Sequence, residues 1–313
     1  MQDSVEIRPD PHSLLEPSSD GEVKSRADDY SMASENVPLS WSRSDIEQRL
    51  GFRGARFTRV NNVLTFLLAV AVAVAFYGAL IPLHGTVIST MFTERGPTQY
   101  FTVLFSAWSL MILLIKSRKL AMQRRALAFQ VIPAGHDFVL SSATVDDVIQ
   151  QIYATVDDPK RFVLFNRILI ALSNLRNLGR VSDVDDILRS QAEQDEAVME
   201  TSYSLIQGFV WAIPVLGFIG TVLGLSQAIG SFSGVLGSTA DMTQITAALR
   251  GVTAGLGTAF ETTLVALVAA LFIQLWLTGL RKSEEEFLDD CAEYCLRNVV
   301  SRLRIMPFEN SLE

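Results

Sequence analysis

The chain is short of the residues that most chemistry needs. It has two cysteines and three histidines in 313 residues. Cys291 and Cys295 stand four apart, one helical step, and no second pair completes a zinc site. Two structural thiols on one helix face are expected, and no disulfide framework. His12, His84 and His136 are scattered, without metal-ligand spacing. No Ser/His/Asp set and no Gly-Lys-Ser/Thr ending is present, so neither nucleophilic catalysis nor a nucleotide loop has a foothold. An enzyme is not expected, and no cofactor or metal. Charge is also scarce: 19% of residues are charged, against about 25% in soluble domains. Acid dominates the first 35 residues, nine Asp or Glu against three Lys or Arg. An acidic, aromatic-poor head argues against nucleic-acid binding.

What the chain has instead is apolar length. Residues 1–40 lack apolar periodicity and are expected to be a disordered acidic tail. Residues 41–62 form a cytoplasmic amphipathic lead-in that ends in Arg53, Arg56 and Arg59. Residues 63–115 then hold two apolar stretches, NVLTFLLAVAVAVAFYGALIPL and QYFTVLFSAWSLMILLI, separated by a short polar turn. The first is long enough to cross a hydrocarbon core of about 30 Å, and is too long and too far from the N-terminus for a signal peptide. The second is shorter and reads as a span or as a buried helix. KSRKLAMQRR follows it, with five basic residues and no acid.

Residues 116–204 read as a cytoplasmic helical domain, with Gly179 as a helix stop and Ser182 and its following acids as a helix start. No break precedes Gly208, so that last helix is expected to run straight into a third span, Leu205 to Ile229. A loop, GSFSGVLGSTADMTQ, leads to a fourth span near Val252 to Leu280. Residues 205–280 thus form a second transmembrane pair, and 281–313 a charged amphipathic C-terminal helix. Basic groups flank the same side of the spans, and the two opposite loops hold one Arg between them. The positive-inside rule makes both termini and the middle segment cytoplasmic. The expected fold is all-α: a polytopic membrane protein of four transmembrane helices with long cytoplasmic extensions.

The second pair is unusual in composition. AIPVLGFIGTVLGLSQAIG lacks the ending and preceding strand of a phosphate loop. Its Gly217, Gly220 and Gly224 share one helix face, where small residues let membrane helices approach closely. Thr221 lies beside them, and Pro214 removes one backbone hydrogen bond and bends the helix. In LRGVTAGLGTAFETTLVALVAALFIQLW, Gly251, Gly255, Thr258, Thr262, Ala266 and Ala269 recur at steps of three and four. Two readings stand open: a helix-packing stripe, or the lining of a partly hydrated path. Glu261 lies beside the Thr258 edge. A lone ionisable group there costs at least ~2.5 kcal/mol, so it must be protonated, paired or open to water. Arg250 of an adjacent subunit is the expected partner, because about 16 Å of helical rise separates the two residues within one chain.

IPVLGFIGTVLGLSQAI followed by ALRGVTAGLGTAFETTLVALVAAL resembles the MotA/TolQ/ExbB proton-channel family. The likeness covers chiefly residues 205–280. It implies a subunit of a bacterial inner-membrane motor, a homopentamer enclosing the single transmembrane helices of a dimeric MotB/TolR/ExbD-like partner. Ions, as protons, cross by way of an Asp on that partner helix. On this resemblance Thr221 and Thr258 match the lumen-facing threonines, with Thr262 and Glu261 on the same path. Residues 116–204 would offer a surface to a cytoplasmic effector. One departure stands out: the TolQ/ExbB pattern puts an acid before the threonine of the last span, near Thr253 here, whereas Glu261 follows Thr258. A non-conducting membrane scaffold is the alternative.

Overall fold

The computed structural model describes residues 39–41, 45–49, 51–52, 54–132, 140, 144–178, 181–236 and 242–303. The acidic head before residue 39, Gly179, and the middle of the connection between the third and fourth spans lie outside them. Among the described residues the fold is all-helical, without named strands. Its helices are α1 (Ile46–Arg49), α2 (Asn62–Leu80), α3 (Val87–Thr93), α4 (Pro97–Ala126), α5 (Val145–Thr155), α6 (Val163–Leu178), α7 (Val181–Leu236) and α8 (Met242–Asn298).

Four helices are long and apolar enough to cross a membrane: α2, α4, α7 and α8. Asn61 caps α2 by accepting from the Val63 amide, and the helix continues as a 3-10 turn over Ile81–Leu83. The expected polar turn after it contains a helix. Thr86 supplies its cap, accepting from the Ser89 amide, and one hydroxyl in the right place suffices to start a short helix. A tight Arg-Gly-Pro corner then opens α4. Gly96 sits at φ 93°, a conformation that glycine alone adopts without strain, and Pro97 takes the first helical position, where its missing N–H is not needed. α4 does not end with its apolar stretch but runs on through KSRKLAMQRR to Ala126.

α7 and α8 have 56 and 57 residues, about 84 and 86 Å at 1.5 Å per residue. A bilayer uses little more than a third of that, so each helix projects far beyond it. α7 runs without interruption from the acidic 183–196 stretch through Pro214. α8 begins at Met242, ten residues before the expected edge of the fourth span, and α7 reaches Leu236, so helix occupies most of the expected loop. The borders at 115/116, 204/205 and 280/281 therefore fall inside continuous helices. They mark where polarity changes, not where structure does.

The main core lies outside the apolar stretches. α5, α6 and the projecting halves of α4, α7 and α8 bury Ile152, Phe162, Phe165, Ile168, Tyr203, Phe287, Cys291 and Cys295. Both thiols are free and buried on one face of α8. Trp41 closes the core edge-on to Phe162, with centroids 5.2 Å apart. Its amide donates to the Asp157 carboxylate, 2.8 Å, while Leu39 pairs backbone-to-backbone with Thr155 and Asp157. Within the spans the pattern inverts. Phe218, Phe260, Leu264, Leu271 and Leu275 are exposed, which fits helices surrounded by lipid or by other helices.

Candidate functional site

Inside the spans, α7 and α8 run antiparallel and touch through their small residues. A Cβ built on Gly217 would lie 2.6 Å from the Ala266 Cβ, and one on Gly220 2.6 Å from the Thr262 hydroxyl. One on Gly224 would lie 2.8 Å from the Gly255 carbonyl oxygen, and one on Gly255 2.9 Å from the Ala228 Cβ. Positions rise on one helix as they fall on the other, in steps of three or four. The two stripes are thus one intramolecular seam. Of the two readings of the α8 stripe, packing describes Gly255, Thr262 and Ala266, which face α7 of the same chain. Thr262 is wholly buried, and its hydroxyl donates back to the carbonyls of Thr258 and Ala259. Gly251 lies one turn before Gly255 and is partly exposed.

At the edge of the seam the helices bring hydroxyls together. Thr221 hydrogen-bonds directly to Thr263. Thr221 also reaches the carbonyl oxygens of Gly217 and Ala259, 3.2 Å each, and Thr263 reaches the same two at 3.0 and 3.2 Å. Two hydroxyls and two carbonyls thus form a polar knot between otherwise apolar helices. Both threonines are half-buried, so the knot is within reach of a group on another helix. Sequence reasoning missed Thr263, because the stripe of small residues runs through Thr262. The usable signal is the doubled hydroxyl, Thr262-Thr263: one faces the seam, the other its rim.

Glu261 has a partner within the chain, while Arg250 is exposed. Arg95, from the corner between α3 and α4, donates from Nε to one carboxylate oxygen of Glu261 at 2.8 Å and from Nη2 to the other at 3.2 Å. Its Nη1 donates to the Thr258 hydroxyl, 3.0 Å. The Arg95 and Glu261 side chains are 23% and 27% exposed. The planar fork of a guanidinium matches a carboxylate in this two-bond manner, which lysine cannot do. The cause is local: Gly96 and Pro97 turn the chain so that the lone basic residue of the two opposite loops reaches back over α8. Removing Arg95 leaves a carboxylate unpaired in an apolar setting. Arg95→Ala should lower stability by about 2 kcal/mol, and Arg95→Gln with Glu261→Gln together should recover most of it, read by thermal unfolding in detergent. Equal loss in the single and double variants would deny the pairing.

A second charged layer lies where the apolar stretches end. Lys116 is paired with Glu284 at 2.9 Å, with side-chain exposures of 0% and 2%. Thr58 and Tyr203 also donate to that carboxylate, Tyr203 at 2.5 Å. The ammonium donates to Ser202, 2.8 Å, and stands 4.2 Å from the centre of the Tyr203 ring. Lys119 donates to Glu47 at 2.6 Å and lies near Asp45, whose carboxyl burial pushes above its ordinary value against the pull of Lys119. Arg167 and Asp195 pair at 2.6 Å. These pairs lock α1, α4, α6, α7 and α8 to one another.

Four helices long and apolar enough to cross a membrane, among the described residues, fit a multi-pass helical membrane protein. Residues 164–292, from α6 through most of α8, match the MotA/TolQ/ExbB proton channel family. The family is one of channels rather than enzymes, and the match supports an ion-channel role. No curated protein and no solved structure matches the chain.

Proposed function

We propose that this protein is the ion-conducting subunit of an ion-driven motor of the bacterial inner membrane. Copies of it, five on the family resemblance, would enclose the transmembrane helices of a dimeric MotB/TolR/ExbD-like partner, whose intramembrane Asp carries the ion. The termini and residues 116–204 lie on the cytoplasmic side, by the distribution of basic residues, and the projecting α4–α8 bundle is the surface for a cytoplasmic effector. The ion is a proton: the hydroxyls of the candidate path suit proton transfer through water better than a bare cation.

The observation that carries this reading is the Thr221–Thr263 knot, a half-buried polar group on the rim of an apolar helix pair within the family-matched segment. Its hydroxyls are close enough to solvate a proton passing to or from a carboxylate on an opposing helix. Thr258, held by Arg95, lies with Glu261 across the seam from that knot, about 140° around α8 from Thr263. Thr262 contributes through packing rather than by facing the path. Pro214, Gly217, Gly220, Gly224, Gly251 and Gly255 serve to shape and close the helix pair.

Valine keeps the shape of threonine and removes its hydroxyl. Thr221→Val and Thr263→Val, each in the chain co-expressed with its partner, should reduce proton uptake by reconstituted vesicles at least about tenfold, the effect of losing one hydrogen bond of about 1.4 kcal/mol from a barrier. Assembly should be unchanged by size-exclusion chromatography. The scaffold reading predicts the opposite pattern: no proton uptake by the unaltered complex, and partner-dependent activity that survives both substitutions.

A further inference from the structure

A cavity of about 140 Å³ opens beside the Lys116–Glu284 pair, at the level where α2 begins, the apolar stretch of α4 ends and that of α7 starts. Ile112, Leu205 and Ile206 are among its lining residues. Its rim is cationic and polar. Arg59 stands there exposed, and its guanidinium makes no ion pair among the described residues. Asn62 adds a side-chain amide, and Thr201, Ser202 and Ser204 add hydroxyls. None of the lining residues is acidic; the nearby Glu284 carboxylate is screened behind Lys116, Thr58 and Tyr203. Directly above, Val63 and Leu67 on the first span are 63% and 52% exposed.

We propose that this cavity holds the phosphodiester of an anionic phospholipid from the cytoplasmic leaflet. Two features favour a lipid over a free anion. The site sits where apolar helix surface gives way to charge, the depth of headgroups in a bilayer. The exposed α2 side chains that follow Asn62 offer apolar surface to the glycerol and acyl chains, which an inorganic anion would leave uncovered. Arg59 is the charge partner, and a guanidinium suits a phosphate because its parallel N–H groups meet two oxygens at once. Lys116 also lines the cavity, but Glu284 balances its charge and its hydrogen bonds are committed to Glu284, Thr58 and Ser202, so the recognition rests on Arg59. A basic pocket between transmembrane helices on the cytoplasmic side is where anionic headgroups are recognised. The lipid would pin the first span to the third just where the buried ion pairs join the membrane and cytoplasmic halves.

The inference rests on the membrane placement of the helices and not on ion conduction, so failure of the vesicle proton assay would leave it standing. The test uses the full chain in nanodiscs of phosphatidylcholine with increasing phosphatidylglycerol, and counts lipids retained after release by native mass spectrometry. The unaltered chain should retain phosphatidylglycerol selectively. Arg59→Gln should weaken that retention about fivefold, the contribution of one basic residue at an anionic surface. Arg125→Gln, which removes an exposed charge further along α4 without touching the cavity, should leave it unchanged. Inorganic phosphate in millimolar excess should not displace the lipid. Equal retention of the two lipids, equal effects of both substitutions, or displacement by inorganic phosphate would each overturn the assignment.

Discussion

Gly224→Val should yield no folded protein, whereas Gly208→Ala and Gly257→Ala, on the same two helices, should fold at least as well as the unaltered chain. The difference lies in what a side chain would meet. At Gly208 and Gly257 nothing stands within 4 Å of a built Cβ, and alanine in a helix is worth up to about 1 kcal/mol over glycine. At Gly224 the nearest atoms are the Gly255 carbonyl oxygen at 2.8 Å and the Ala259 amide nitrogen at 2.9 Å. Both belong to the backbone of the opposite helix, so no rotamer change relieves the clash. The helices must part, and parting loosens the seam from Gly217 to Ala228 together with the Thr221–Thr263 knot. Overpacking of even a methyl costs about 1–3 kcal/mol, so Gly224→Ala should already be visibly unstable and the two further methyls of valine decisive. Yield and thermal unfolding of the detergent-solubilised chain measure it. A Gly224→Ala variant as stable as Gly208→Ala would mean that α7 and α8 do not cross there.

Lys116→Met should be nearly as damaging for a different reason. The substitution preserves length and apolar stem but strands the Glu284 carboxylate in a site that is 2% exposed. Tyr203 and Thr58 still donate to it, yet they carry no charge. Breaking a buried pair by removing one partner costs about 3–5 kcal/mol, while replacing both partners with apolar groups is often neutral. Glu284→Leu alone should be harmful too, since it leaves the buried ammonium facing only Ser202 and Thr58. The double variant Lys116→Met with Glu284→Leu should recover most of the loss. A double-mutant cycle on unfolding midpoints checks this, and additive effects of the two single changes would refute the coupling. The pair should matter more to stability than Arg95–Glu261, because its charges are sealed from water while the Arg95 pair keeps about a quarter of its side-chain surface.

Much of the architecture was legible because its signals are local. Apolar length alone marks Asn62–Leu83 and the third and fourth spans, since a hydrocarbon core demands about 20 apolar residues in a row whatever their neighbours. The unbroken polarity change near Leu205 likewise foretold that α7 passes from polar to apolar sequence without a break. The spacing of Gly217, Gly220 and Gly224 marked a close-packing face. Residue-by-residue spacing of small side chains does not say whether the surface they approach is a sister copy, a central shaft or the next helix of the same chain. The Gly255–Thr262–Ala266 stripe therefore left two readings open, and it lies against α7.

The contacts that tertiary structure alone decided share one property: large separation in sequence. Arg95 meets Glu261 across 166 residues and Lys116 meets Glu284 across 168. No periodicity links such residues, and each looks alone like an unexplained charge near an apolar stretch. Thr263 was hidden for a related reason. Neighbouring threonines point about 100° apart on a helix, and only the position of α7 determines which one meets Thr221 and which is sealed in the seam. The sequence by itself determined that four helices are apolar enough to leave water and that two of them can touch closely, because hydrophobicity and side-chain size are properties of single residues. Which hydroxyls and charges come together was decided by the packing of α4, α7 and α8, because those partners are chosen by distance in space and not along the chain.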